Sequence, residues 1–245
     1  MDIYTKCHKN TSETGNCPFT QFLQITLLKK GVTHKLIPTL PSKIPSWIQQ
    51  DCQGQLPTLF NRINNETVSD AIRIAEYIED LYPEVPLIQN STATYNEFKN
   101  FYPALRDCIV NKDPEKDNQL IKAVTDQLDL MESILKSSPG KFLCGFQLTS
   151  ADLYVTPLLF HAMVALENFK NIEILHLNSP PKRPILEKYM SDMFFLKEMN
   201  DDQVYCHPDK IIYGWKVERN EAPSPQDDTD NSNSDSIENI SSQST

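Results

Sequence analysis

The sequence predicts an α/β domain followed by an all-helical one, and three observations carry that reading. Over the first 85 or so residues short strand patterns alternate with helical ones, whereas from about Thr92 onward only helical periodicity remains. Two helix starts, at 15–18 and 69–70, and a proline-led strand at 57 punctuate the first part. At 245 residues the chain is long enough for one large domain or two small ones with a proper core.

A strand at Asp2-Ile3-Tyr4 leads towards Gly15-Asn16-Cys17-Pro18-Phe19-Thr20-Gln21, the most informative stretch. Asn16 suits a helix cap, Pro18 a first-turn position that needs no backbone donor, and Gly31 the C-terminal cap. Phe19, Phe22, Leu23 and Leu27, with Ile25 and Leu28 alongside, form an apolar face at helical spacing. Lys29 and Lys30 fall in the last turn, where cations complement the helix dipole. A thiol at Cys17 faces the donors and the positive end of that dipole, which favour thiolate over thiol. The alternative is a buried structural cysteine. Thr20 stands where a dithiol oxidoreductase has its second cysteine, so a mixed disulfide at Cys17 needs an external thiol, or a cysteine from elsewhere in the fold, to resolve it.

Thr33 to Leu40 reads as a strand, followed by a helical turn around Trp47. Leu56-Pro57-Thr58-Leu59 is unsuited to a central strand, because proline cannot donate to the ladder, and fits a tight turn of the kind that holds a cis proline. Asn64-Asn65 signals a hairpin, Glu66-Thr67-Val68 the returning strand, and Ser69-Asp70 the start of a helix ending before Pro83. Strand, helix, strand, helical turn, strand, strand, helix is a thioredoxin-like order. In such a fold the first helix start, the proline turn and the last helix start converge on one edge.

The second part is expected to begin with one helix over about Thr94 to Val110, followed by a polar break at Asn111 to Asp117. A long helix then has Leu120, Ile121, Val124, Leu128, Met131, Ile134 and Leu135 on one face, ending at Ser138-Pro139-Gly140. Thr149 and Asp152 make a capping box with Leu148 as its staple, opening a helix from Asp152 to Ala165 that is apolar nearly all round and contains Pro157, expected to kink it. A last helix runs from about Arg183 to Met199. The expected divisions are 1–86, 93–220 and an acidic tail at 221–245, whose six acids and no base cannot bury a core.

The net charge is −10, or −4 without that tail, and no basic patch interleaves with aromatics, so nucleic acid is an unsuitable partner. The six cysteines show no C-x-x-C pair or zinc spacing, and the histidines no metal-ligand pattern. No signal peptide is read at Met1 to Lys6, which makes a cytoplasmic location with reduced cysteines the expectation.

The thioredoxin-like order, the leucine–proline turn, the Ser-Asp helix start and Leu148-Thr149-Ser150-Ala151-Asp152 together resemble the cytosolic glutathione transferases. Cys-Pro-Phe resembles their omega-class and dehydroascorbate-reductase branch. Three features resemble the chloride intracellular channel (CLIC) family within it. They are Gly15 to Gln21 followed by Leu28-Lys29-Lys30-Gly31-Val32, then Cys52-Gln53-Gly54-Gln55-Leu56-Pro57, then Cys206-His207-Pro208-Asp209-Lys210 with Tyr213. The resemblance spans about residues 2 to 215 and implies the glutathione transferase fold.

It also implies glutathione as co-substrate. Cys17, with Pro18 and Phe19, would meet the glutathione sulfur, Leu56 beside Pro57 its cysteinyl main chain, and Ser69 with Asp70 its γ-glutamyl end. Ser69 reads equally as a plain cap. Cys52, just before the proline turn, is a candidate redox partner of Cys17, and a quiet thiol is the rival. The family name implies a membrane-inserted chloride channel form, but the residues oppose it. Three lysines after Leu28 cost about 7–10 kcal/mol on the insertion scale, against about 3–5 kcal/mol returned by the apolar residues from Phe19 to Ile37. Ser138-Pro139-Gly140 is also far shorter than the acidic loop of many family members, which puts docking through that loop in doubt. The expected function is a glutathione-dependent monothiol oxidoreductase, with a non-catalytic scaffold as the alternative. The partners weighed are glutathione, the membrane, and cytoskeletal or signalling proteins, with a monomer when reduced and a dimer as the oxidised candidate.

Overall fold

The computed structural model describes residues 1–10, 12–88, 91–176 and 180–225. A four-stranded sheet of order β2-β1-β3-β4 forms from β1 (Asp2–Lys6), β2 (Lys35–Thr39), β3 (Thr58–Asn61) and β4 (Glu66–Ser69). β1 runs parallel to β2 and antiparallel to β3, and β3 pairs antiparallel with β4 through the Asn64-Asn65 turn, where Asn65 has φ 60°. The parallel pair requires a crossover, which α1 (Pro18–Lys29) provides. A 3₁₀ turn at Pro41–Lys43 and α2 (Ser46–Cys52) lead into the cis Leu56–Pro57 bond ahead of β3. α3 (Ala71–Leu81) follows β4.

α1 is buried on every side. Phe22, Leu23, Ile25 and Leu27 are fully inaccessible, and so, nearly, are Thr20, Gln21, Gln24 and Thr26. Each of the four apolar side chains contributes about 1.5–3 kcal/mol by leaving water. Gly31 ends the helix at φ 66°, its N–H donating to Leu28 O at 3.0 Å. Lys30 is buried against Glu79 (2.6 Å) and donates to the carbonyls of Tyr82 (2.8 Å) and Val85 (2.7 Å), tying α1 to the chain leaving α3.

The remainder is helical: α4 (Ser91–Phe98), α5 (Phe101–Val110), α6 (Pro114–Ser137), α7 (Ser150–Lys170), α8 (Pro184–Phe194) and α9 (Pro208–Glu218). The expected single helix at 94–110 is two. Pro103 has no N–H to offer the carbonyl of Lys99, and its ring crowds that carbonyl, so the chain breaks at 99–100 and restarts with Phe101. The expected polar break at 111–117 narrows to Asn111–Asp113, because Asp113 accepts from Glu115 N (3.1 Å) and opens α6 at Pro114. α8 stops at Phe194, not Met199. α9 was not expected as a helix; Pro208 opens it, and His207 Nδ1 accepts from Asp209 N at 3.3 Å. Of the expected tail, residues 221–225 sit against α9, with Tyr213 O–H donating to Pro223 O at 2.8 Å, and 226–245 lie outside the described residues.

α7 is the axis of the helical part, packed against α1, α4, α5, α8 and α9. It runs on through Pro157 and starts two residues before Asp152, because Thr149 is its cap. Asp152 accepts at one oxygen from Thr149 N (2.8 Å) and Thr149 Oγ1 (2.9 Å), and at the other from Leu143 N (2.9 Å) and Tyr189 O–H (3.0 Å). Burial pushes this carboxyl up, while the four hydrogen bonds hold it down. The side chain thus joins the start of α7, the loop before it and α8. Asp152→Ala leaves three or more buried donors unsatisfied at about 1–3 kcal/mol each, so a loss of about 3–5 kcal/mol is expected from urea unfolding. A loss below about 1 kcal/mol contradicts this account.

Candidate active site at the start of the first helix

Cys17 is the N-cap residue of α1, in extended geometry (φ −92°, ψ 112°), with its carbonyl accepting from Gln21 N at 3.1 Å. The expected cap, Asn16, does not act as one. No side chain caps the helix, and no acid lies in its first turn, so the backbone donors there face the cysteine and whatever binds beside it. Asn16 is buried instead against Gly214 of α9, so closely that a Cβ at 214 would lie 2.0 Å from the Asn16 amide. Cys17 itself is half-buried, neither walled off nor fully exposed.

On one side of the helix start lies a groove of about 160 Å³ lined by Phe19, Gln55, Leu56, Pro57, Asp70, Ala71, Ile72 and Tyr154. It brings together four of the residues singled out in the sequence: Phe19, Leu56, Pro57 and Asp70. Pro18 is buried in the first turn of α1. Ser69 ends β4 opposite Thr58 and does not line the groove. Asp70 has φ 73° and caps α3, one carboxylate oxygen accepting from Ile72 N (3.0 Å) and Arg73 N (3.1 Å). Cys52 is buried at the end of α2 and lines neither this groove nor the cleft described next, and no disulfide joins it to Cys17.

On the other side is a cleft of about 200 Å³ lined by Glu13, Thr14, Gly15, Cys17, Gln21, Gln24, the segment 202–206 and Lys210. Gln21 Nε2 donates to Val204 O (3.1 Å) and Gln24 Nε2 to Gln203 O (2.7 Å), and Lys210 pairs with Glu13 at 2.8 Å.

Two aromatic groups here were not anticipated from the sequence. Tyr154 of α7 lines the groove, stacks edge-on with Phe22 (5.4 Å) and lies 6.0 Å from the Phe19 ring. Burial pushes its phenol up to about 12, and the charge of Asp70 adds to this. Tyr102 of α5 packs edge-on against Phe19 (5.0 Å) and near Trp215 (6.1 Å). Its phenol is raised chiefly by burial and next by the nearness of Cys17. Aromatics in helices far along the chain give no local signal of their position beside Cys17.

Residues 1–84 match the CLIC-like N-terminal domain family. A protein named "Probable glutathione S-transferase DHAR1, cytosolic", from Oryza sativa subsp. japonica, is 30% identical over 165 residues, covering 65% of this chain and 73% of that one. The chain belongs to the glutathione transferase superfamily, and its first 84 residues to the CLIC-like N-terminal domain family. Two crystal structures share its fold. Chlamydomonas reinhardtii dehydroascorbate reductase superposes with TM-score 0.74 at 24% identity, over 89% of this chain and 97% of that one. The CLIC homologue EXC-4 from C. elegans superposes with TM-score 0.69 at 18% identity, over 89% of this chain and 82% of that one.

The Asn16–Gly214 contact joins α9 to the loop that delivers Cys17. Gly214→Ala must displace one of them, at a cost of about 1–3 kcal/mol for overpacking. A lower urea midpoint together with a changed rate of Cys17 alkylation is expected. An unchanged midpoint refutes the tight contact.

Proposed function

We propose that this protein is a glutathione-dependent monothiol oxidoreductase with Cys17 as its nucleophile. The observation that carries the reading is the half-exposed Cys17 at an uncapped helix N-terminus, two residues before Phe19, which lines a groove together with the Leu56–Pro57 turn and the Asp70 carboxylate. The groove suits glutathione by its chemistry. The Asp70 carboxylate has one oxygen engaged by the α3 backbone, which leaves the other for the γ-glutamyl ammonium. Leu56 offers its main chain at the turn for sheet-like pairing with the cysteinyl unit. Ser69, the neighbour of Asp70 in sequence, is proposed for the same γ-glutamyl end from outside the groove's lining, and residues 1–86 are the unit that binds the tripeptide.

The Cys17 thiolate attacks the glutathionyl sulfur of a mixed disulfide, forming a Cys17–glutathione bond as the acceptor's thiolate leaves. A glutathione thiolate then attacks that bond, returning Cys17 as thiolate and yielding oxidised glutathione. Dehydroascorbate, which the Chlamydomonas protein's name specifies, is the second acceptor to assay.

In a glutathione-coupled reductase assay, Cys17→Ser is expected to reduce turnover to the uncatalysed rate. Equal rates in the two proteins reject the reading. Asp70→Asn keeps an oxygen for capping α3 but removes the charge. It is expected to raise KM for glutathione about tenfold or more, the effect of losing one charge-assisted hydrogen bond, with an unchanged unfolding midpoint. An unaltered KM removes Asp70 from the ligand site.

A further inference from the structure

The cleft beside Cys17 contains a second sulfur. Cys206 lies on its far wall, in the segment 202–207, which belongs to neither helix nor strand. The two walls are held in register by the side chains that cross between them. Gln21, one helical turn beyond Cys17, donates to Val204 O, and Gln24 donates to Gln203 O. Across the mouth, Lys210 pairs with Glu13 of the loop that leads to Cys17. Of the other thiols, Cys52 lines neither the cleft nor the groove, and Cys7 is almost completely buried at the end of β1.

We propose that Cys206 is the resolving thiol of Cys17, so that a hydroperoxide converts the pair into an intramolecular disulfide that shuts the cleft. The Cys17 thiolate attacks one peroxide oxygen, the O–O bond breaks, and the departing alkoxide takes a proton to leave as an alcohol, or as water from hydrogen peroxide. Cys17 becomes the sulfenic acid. Cys206 then loses its proton and its sulfur attacks Cys17 Sγ; the S–O bond breaks, and the hydroxide takes that proton and leaves as water. Two electrons pass from the two sulfurs to the peroxide. Two glutathione molecules reverse the change, giving two thiols and oxidised glutathione.

The electrostatics order the two steps. Burial pushes the Cys206 thiol up to about 12; the Lys210 ammonium opposes this, and the nearness of Cys17 adds to it. Burial, the chief cause, keeps Cys206 protonated in the resting cleft, and the Lys210 ammonium is the group that favours its thiolate as the proton passes to the leaving hydroxide. A disulfide needs Cα atoms within about 7 Å. The approach of the two walls is limited by the bonds that hold the segment: Val204 N (2.9 Å) and Tyr205 N (2.8 Å) to Asp201 O, and the two glutamine bonds from α1, which are the ones that must yield.

This pair does not depend on glutathione binding in the groove, so its test stands apart from the reductase assay. The full-length protein is treated with one equivalent of hydrogen peroxide, its remaining thiols are alkylated, and non-reducing peptide mass spectrometry is read. The expected product is a Cys17–Cys206 linked peptide, unchanged in Cys52→Ser. In Cys206→Ser, sulfenic acid at Cys17, trapped with dimedone, is expected to rise severalfold over wild type. A Cys17–Cys52 link, a link between two chains, or no link at all in the wild-type protein overturns the proposal. Because that readout uses the wild type, it stands even if Cys206→Ser folds poorly.

Discussion

The burial of α1 on all sides is the constraint from which the site follows. A helix with one wet face could rock, whereas this one is packed against α7 and α3 and held by its glutamines to the segment 199–206. Gln21 also meets His161 of α7 at 3.2 Å. Burial lowers that imidazole to about 3, so it remains a neutral partner across the physiological range. The two glutamines of α1 are thus engaged by the helical part of the chain, and the two halves become one frame around the first turn of one helix. Cys17 takes its position from that frame.

The frame sets two recesses of different chemistry at the start of α1. The groove, lined by Phe19 and not by Cys17, is part apolar and carries the Asp70 carboxylate and the Tyr154 ring. The cleft side is polar, is spanned by Lys210 and Glu13, and holds the second thiol. α9 packs on the chain that leads to Cys17, with Gly214 against Asn16 and with His8 and Lys9 on the Tyr213 ring. Through Lys210 the same helix is part of the cleft wall although it lies about 200 residues from Cys17 in sequence.

The same packing bears on the membrane form implied by the family name. Among the described residues no helix is long and apolar enough to cross a membrane. The twelve residues of α1 span about 18 Å, against about 30 Å of hydrocarbon core. The glutamines and lysines of α1 have partners in this fold, and those partners would be lost on withdrawal.

Local signals in the sequence determined the strands, the Pro18 helix start, the Gly31 stop, the Asn64-Asn65 turn and the Thr149–Asp152 box, because each depends on residues a few positions apart. They failed where the deciding partner was distant. Asn16 has the chemistry of a cap, but its side chain is taken by Gly214. The helix at 94–110 was read through Pro103, a local signal given too little weight. Cys52 is a candidate partner of Cys17 by its nearness in sequence to the proline turn, whereas the path of the segment 202–207, which brings Cys206 to the cleft that Cys17 lines, has no local signal. The sequence by itself determined that a reactive-type cysteine opens a helix in a thioredoxin-like domain. Only the tertiary structure decided what faces that cysteine, since which side chains meet across a fold depends on how whole elements pack.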